Sequence, residues 1–140
     1  MKKVIGIDPG NKTGIAIFSL GTKFNLVETK TIHPLDVEVE IEGVDAVYIE
    51  DSRLQKAIFC HPSQKVAYSR SVGQVDARCS DVEEICNRKG IKFVGISPKE
   101  KGKKISKDEF MRIFGCSSNK SGSNQHERDA AMVVFASRFK

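Results

Sequence analysis

Val4-Ile-Gly-Ile-Asp8-Pro-Gly10 is an apolar run that ends on a carboxylate and is followed at once by a turn signal. Gly14 to Phe18 then resume with a β-branched pattern, so the stretch reads as strand, tight turn and second strand, with Asp8 held at the rim of a sheet and not on a mobile loop. Lys23 to Ile32 alternates through Phe24 and Leu26 and, after a slip, Thr29 and Thr31, which predicts a third, antiparallel strand. Asp45-Ala-Val-Tyr-Ile-Glu50 has the form of a buried fourth strand, again closed by an acid. Between the third and fourth, Asp36-Val-Glu-Val-Glu-Ile-Glu42 fits either a short strand or one helical turn, and the residues leave both open.

From about Gln64 to Lys89 the residues Tyr68, Val72, Val75, Cys79, Val82 and Cys86 recur at steps of four and three, the stripe of a long amphipathic helix. Gly73 costs such a helix about 1 kcal/mol relative to Ala, which suggests a place where another backbone comes close. Gly90 ends the helix, and Ile91 to Ile96 form a fifth strand. Ser106 with Glu109 makes a capping box ahead of Phe110, Ile113 and Phe114, a short helix stopped by Gly115. A polar loop spans 117–124. Asn124 with Glu127 opens the last helix, with Ala130, Val133, Val134 and Ser137 on one face. The pattern is that of an α/β domain around one mixed sheet, and 140 residues suffice for a single domain, 1–140, with its own core.

The 23 Lys and Arg outnumber 18 acidic residues, giving a formal charge of +5 that leans toward an anionic partner. No apolar run approaches the ~20 residues of a membrane span, and Met1-Lys2-Lys3 leads straight into strand-like sequence, so a soluble, cytoplasmic protein without membrane association is expected. Cys60, Cys79, Cys86 and Cys116 lack the close pairs of a zinc ribbon. They are expected to be thiols, with Cys79 and Cys86 in the core.

The chemistry gathers at the strand ends. Two acids closing two buried strands, Asp8 and Glu50, are unusual, because an unpaired buried carboxylate costs several kcal/mol. Taken singly, each is equally well read as a turn cap or as the partner of a nearby Lys or Arg. His126 and Asp129, three apart, share a face of the last helix with Ala130 and Val133, and that face points at the sheet. If the N-terminus of this helix lies over the ends of the two strands, three carboxylates and an imidazole converge, and only cations relieve their repulsion. Oxygen-rich ligands favour Mg²⁺, with Mn²⁺ able to substitute.

Taken together, Val4-Ile-Gly-Ile-Asp8-Pro-Gly10 with Thr13-Gly14, Tyr48-Ile-Glu50, Val72-Gly73-Gln74 and His126-x-x-Asp129-Ala130-Ala131 resemble, in order and over almost the whole chain, the Holliday-junction resolvases of the RuvC type. The resemblance implies a ribonuclease-H-like fold with a five-stranded mixed sheet flanked by helices, a homodimer, and two-metal hydrolysis of one phosphodiester per subunit. Asp8, Glu50, His126 and Asp129 match the four metal-site positions. Two features depart from the cellular enzymes: the stretch before Glu50 is shorter, and Arg53 stands where an aromatic is usual. Both are features of compact RuvC-like nucleases of phages and mobile elements.

Lys99 to Lys107 holds five lysines in nine residues, just after the fifth strand. Such a run is ordinarily a solvated loop. In the family the place carries basic residues at the DNA, and Lys99 and Lys107 look like the matching positions. Lys99, Lys103, Lys104, Lys107 and Arg53 are therefore the candidate DNA contacts, with Lys65 and Arg70 extending the track, and the loop 119–123 could order on substrate. In the reading that follows, Asp8 bridges two Mg²⁺ ions, Glu50 and Asp129 each hold one, and His126 ligates metal or positions the attacking water. Branched DNA is the expected substrate. A non-catalytic junction binder and an RNA–DNA hybrid nuclease are the alternatives on the same fold. The Gly6-to-Gly14 stretch also resembles the first phosphate loop of sugar-kinase and actin-like ATPases, but those need two such domains.

Overall fold

In a computed structural model that describes residues 2–55, 65–115 and 122–137, alternation along the first strand divides the molecule into layers. In β1 (Lys2–Asp8), Ile5 and Ile7 enter one apolar cluster while Val4 enters another on the opposite side. β2 (Thr13–Leu20) pairs antiparallel with β1, and β3 (Phe24–Ile32) antiparallel with β2. β4 (Ala46–Glu50) and β5 (Lys92–Ile96) add in parallel on the other side of β1, giving a five-stranded mixed sheet in the order β3-β2-β1-β4-β5. The slip read in β3 is a β-bulge. Ile17 pairs with Glu28 and Phe18 with Leu26, so Val27 has no partner and stands 46% exposed.

The ambiguous acidic stretch is helical. Pro34–Asp36 form a 3₁₀ turn capped by His33, whose Nδ1 accepts a hydrogen bond from the Leu35 N–H, and this runs into α1 (Val37–Glu40). Val37 and Ile41, four apart, then both reach the core while Val39 between them is exposed, whereas a strand would turn all three to one face. α2 (Lys65–Lys89) covers the same side of the sheet with Cys79, Val82 and Cys86, backed by Val75 and Ile85. Both cysteines are free and buried. The helix ends where Gly90 takes a positive φ. Gln64, Cys60 and Cys116 lie outside the described residues, as do the loop residues 117–121 and the side chains of Lys65 and Tyr68.

The opposite face carries the one-turn α3 (Pro98–Lys101), α4 (Lys107–Phe114) and α5 (Gln125–Ser137). The capping box of Ser106 and Glu109 starts α4, and Gly115, at φ 82°, stops it. α5 lies on β1 and β2 with almost no side chain between. A Cβ on Gly6 would stand 2.1 Å from the Ala130 carbonyl oxygen, and one on Gly14 would stand 2.0 Å from that of His126. Because Gly6 pairs with Ala16 and Asp8 with Gly14, a lane of small residues across two strands lets the helix backbone sink onto the sheet.

Gly73 does not have this role within the chain, since a Cβ there meets nothing within 4 Å. The two kinds of glycine should therefore respond oppositely to alanine. Gly14→Ala should destabilise by about 3 kcal/mol, the upper end for overpacking, because the obstacle is backbone. Gly73→Ala should stabilise by about 1 kcal/mol. Urea denaturation measures both, and a loss of stability in Gly73→Ala would restore a close backbone neighbour at that point.

Candidate metal centre

Strand polarity brings the acids together. β1 and β4 are parallel with Gly6 opposite Tyr48, so their last residues, Asp8 and Glu50, finish side by side on the face that α5 covers. The depth of α5 adds Asp129, 5% exposed. A carboxylate oxygen from each of Asp8, Glu50 and Asp129 lies within 4.8 Å of the others, a spacing one cation could span. The convergence anticipated from the sequence is thus present for the three acids. His126, one turn before Asp129 in effect, is exposed at the rim, and its Nδ1 shares a 3.1 Å hydrogen bond with Asp8 Oδ2.

The charge balance contains a group that the sequence reading did not single out. Lys101, its side chain 4% exposed, places Nζ 3.1 Å from Asp129 Oδ1 and 3.6 Å from Glu50 Oε2. A signal for it was available. Ser97-Pro98-Lys99-Glu100 is a helix start, and the Ser97 hydroxyl accepts from the Glu100 N–H while Gly102, at φ 86°, ends the turn. That single turn directs the fourth residue, Lys101, inward from a run that otherwise faces solvent. Gln125 Nε2 also donates to Asp129 Oδ1, at 2.8 Å.

Asp8 receives less help. Burial is the main influence on its carboxyl and the nearby charges of Glu50 and Asp129 add to it; the His126 hydrogen bond offsets only part, and the pKa is pushed up to about 7. A carboxyl so raised, beside two more, marks this rim as a candidate functional site.

The end of β4 is braced from the far side. The Cys79 thiol donates to the Glu50 carbonyl, the Asp51 N–H donates to Ile96 O, and the Ser52 hydroxyl bonds Asp76 on α2. Arg53 completes this brace. Its Nε and Nη2 donate to the two Asp51 oxygens at 2.9 and 2.8 Å, and Nη1 donates to Glu83 at 3.1 Å and Ser80 at 3.2 Å. Burial alone would raise the Asp51 carboxyl, but the Arg53 hydrogen bonds outweigh it and hold the pKa low. A phosphate contact by Arg53 would require it to leave these partners. Lys99, Lys103, Lys104 and Lys107 are exposed, and Arg70 is exposed on α2.

No family model and no curated protein matches the sequence. Among solved structures, the chain is similar to Thermus thermophilus RuvC in complex with a Holliday junction substrate, with a TM-score of 0.66 and 17% identity over 99% of this chain and 94% of that one. It is also similar to a second Thermus thermophilus RuvC structure, with a TM-score of 0.65 and 17% identity over 98% and 93% of the two chains. The fold is therefore RuvC-like, the five-stranded ribonuclease-H-type sheet that the resemblance implied. Among the described residues no helix is long and apolar enough to cross a membrane.

The raised Asp8 carboxyl gives metal-free stability a pH dependence. Between its unfolded value of 3.8 and its folded value of about 7, the folded chain keeps a proton that the unfolded chain has released. Stability contributed by this group is thus complete below about pH 4 and falls as pH rises to 7, by at most about 1.4 kcal/mol per pH unit. Melting in EDTA between pH 4.5 and 7.5 should follow that slope in the wild type and lose it in Asp8→Asn. An equal slope in both would show that Asp8 ionises normally.

Proposed function

We propose that residues 1–140 act as one nuclease domain that hydrolyses phosphodiesters of branched DNA, four-way junctions foremost, with a pair of divalent cations, Mg²⁺ or Mn²⁺. The observation that carries the reading is the convergence of Asp8, Glu50 and Asp129 within 4.8 Å on the open rim of the sheet. The donor set suits the metal. It is all oxygen, it is partly buried, and the cation beside it, Lys101, pairs with Glu50 and Asp129.

When bound at these carboxylates, the cations would acidify the attacking water and offset charge on the leaving 3′-oxygen. The chain's own groups do the rest. Asp8, whose carboxyl is raised by burial and by the charges of Glu50 and Asp129, would give up its proton to a bound cation. His126 uses Nδ1 on Asp8, which leaves Nε2 on the exposed side of the ring to orient or accept a proton from water. Lys101 keeps Glu50 and Asp129 together and offers positive charge to a phosphate drawn into the cleft. Lys99, Lys103, Lys104 and Lys107 neutralise phosphates farther along the backbone. The DNA substrate is supported by the fold shared with a RuvC that was solved on a Holliday junction. We take α2 as the contact between two copies, which would supply one site for each of two symmetric strands.

Purified chain should cleave four-way junctions with Mg²⁺ or Mn²⁺ in preference to forks, linear duplex and RNA–DNA hybrid of matched sequence. Asp8→Asn should abolish cleavage while junction binding stays within a few-fold, because binding depends on lysines and cleavage on metal. Preferential cutting of hybrid would move the substrate to RNA, and binding without cutting by the wild type under both metals would remove the enzyme assignment.

Neutralising Lys99, Lys103, Lys104 and Lys107 together should weaken junction binding and flatten its salt dependence, since each lost phosphate contact removes about 0.9 from the log-log slope. Fluorescence anisotropy over a salt series measures the slope, and an unchanged value would make this segment a solvated loop.

A further inference from the structure

Glu127 stands in the first turn of α5, between His126 and Asp129, and it is 5% exposed. Among the described residues no cation pairs with it. The adjacent Arg128 is engaged elsewhere, donating to Ile105 O, Gly122 O and Gln125 Oε1. The Glu127 carboxylate instead accepts four hydrogen bonds from neutral donors: Thr29 Oγ1 at 2.8 Å, and Thr31 Oγ1, Ser123 Oγ and Asn124 Nδ2 at 3.1 Å each. An apolar side chain would avoid the desolvation cost of a buried charge. A carboxylate supplies something else, directional charge-assisted bonds that tie a helix to particular atoms of a strand.

Those atoms are well placed. Thr29 and Thr31, two apart on β3, present hydroxyls on one face, and their partners in β2 are Ala16 and Gly14. Gly14 is the residue on which the His126 carbonyl rests. Glu127 therefore draws the first turn of α5 against β3 while the absence of a side chain at Gly14 fixes how far it descends. The surrounding bonds reinforce the same joint. Asn124 Oδ1 caps the helix by accepting from the Glu127 N–H at 3.0 Å, its Nδ2 also donates to Thr31 Oγ1 at 2.8 Å, and the Gly122 N–H donates to Thr29 Oγ1 at 3.1 Å. The Asn124–Glu127 pair, read from the sequence as the start of the last helix, thus puts its carboxylate to a further use, across to the sheet.

We propose that Glu127, through Thr29 and Thr31, is a positioning residue for the metal centre: it sets the depth and angle at which α5 delivers Asp129 and His126 to Asp8 and Glu50. It touches neither metal nor substrate. The inference rests on the metal-site reading above, and its consequence is that loosening this joint reduces metal affinity and turnover without reducing DNA affinity.

The test uses Mn²⁺ as the probe, titrated into DNA-free protein by electron paramagnetic resonance at a temperature where each variant is fully folded. Thr29→Val and Glu127→Ala should each raise the Mn²⁺ Kd about ten-fold, at the lower end for outer partners of metal ligands. Glu127→Gln, which keeps the size and one acceptor, should recover part of the loss. Junction binding in Ca²⁺ should be unchanged in all of them, and kcat for cleavage should fall in parallel with Mn²⁺ affinity. Cys86→Ala, on the buried face of α2, serves as a variant that lowers the melting temperature and leaves Mn²⁺ affinity alone. If the threonine and Glu127 variants fail to fold, Ser123→Ala removes one of the four bonds at an exposed side chain and should give a smaller rise in Kd. Wild-type Mn²⁺ affinity in variants whose melting temperature has fallen would overturn the proposal alone. Absence of saturable Mn²⁺ binding in the wild type would overturn the metal-site reading and this inference with it.

Discussion

The contact on which the rest depends is backbone against backbone, where α5 crosses Gly6 and Gly14. Two peptide carbonyls, those of Ala130 and His126, occupy the space in which side chains would stand on any other residue of β1 and β2. Helices usually pack on sheets across an interdigitated layer of side chains. Here that layer is missing over two strands. Asp129 is consequently carried down to the level of the strand ends and is buried with Ala130, Ala131, Val133 and Val134. Parallel pairing of β1 and β4 supplies the other half of the geometry, because it brings two strands to an end at the same edge. Ligand sites in open α/β sheets gather at such carboxyl ends, and this chain closes both strands with acids there.

Placing three carboxylates in that edge works against stability, and the surrounding structure distributes the strain unevenly. Glu50 and Asp129 have the buried ammonium of Lys101, while Asp8 has an exposed imidazole. The Asp8 carboxyl is pushed upward by its burial and by the charges of Glu50 and Asp129, which the His126 hydrogen bond offsets only in part. The strand carrying Glu50 is fixed from behind by Asp51, Arg53, Ser52 and Cys79, so relaxation by outward drift of β4 is opposed by hydrogen bonds to α2 and β5. The repulsion remains localised at the opening, where a bound cation would relieve it.

Much of this was legible in the sequence because it depends on short-range pattern. Strand alternation, the stripe of Val75, Cys79, Val82 and Cys86, and the glycine stops at Gly90 and Gly115 all report local geometry, and each appears where the spacing puts it. The four site positions could be assembled because acids at strand ends and a two-residue pattern on an inward helix face are themselves local signals. What failed to show was selection among chemically equal residues. Five lysines lie between positions 99 and 107, and only Lys101 turns in, a choice made by a single helical turn with Ser97 at one end and Gly102 at the other. Arg53 and Glu127 were obscure for a related reason. Their partners, Glu83 and Thr29, are 30 and 98 residues away, and no periodicity records a hydrogen bond over that separation.

The long-range bonds also join what the chain order separates. Lys101 binds Asp129 on α5, and Arg128 on the same helix donates through Nε to the carbonyl of Ile105, in the middle of the lysine run. Ile105 itself is buried in the cluster that holds Phe110, Ala130 and Val134. The segment is thereby fastened to the helix that bears His126 and Asp129 at two points, one on each side of Lys103 and Lys104. A force on those ammonium groups is borne by the helix that completes the carboxylate cluster. Contact with a polyanion and assembly of a cation site would therefore share one mechanical unit, anchored at Lys101 and Ile105.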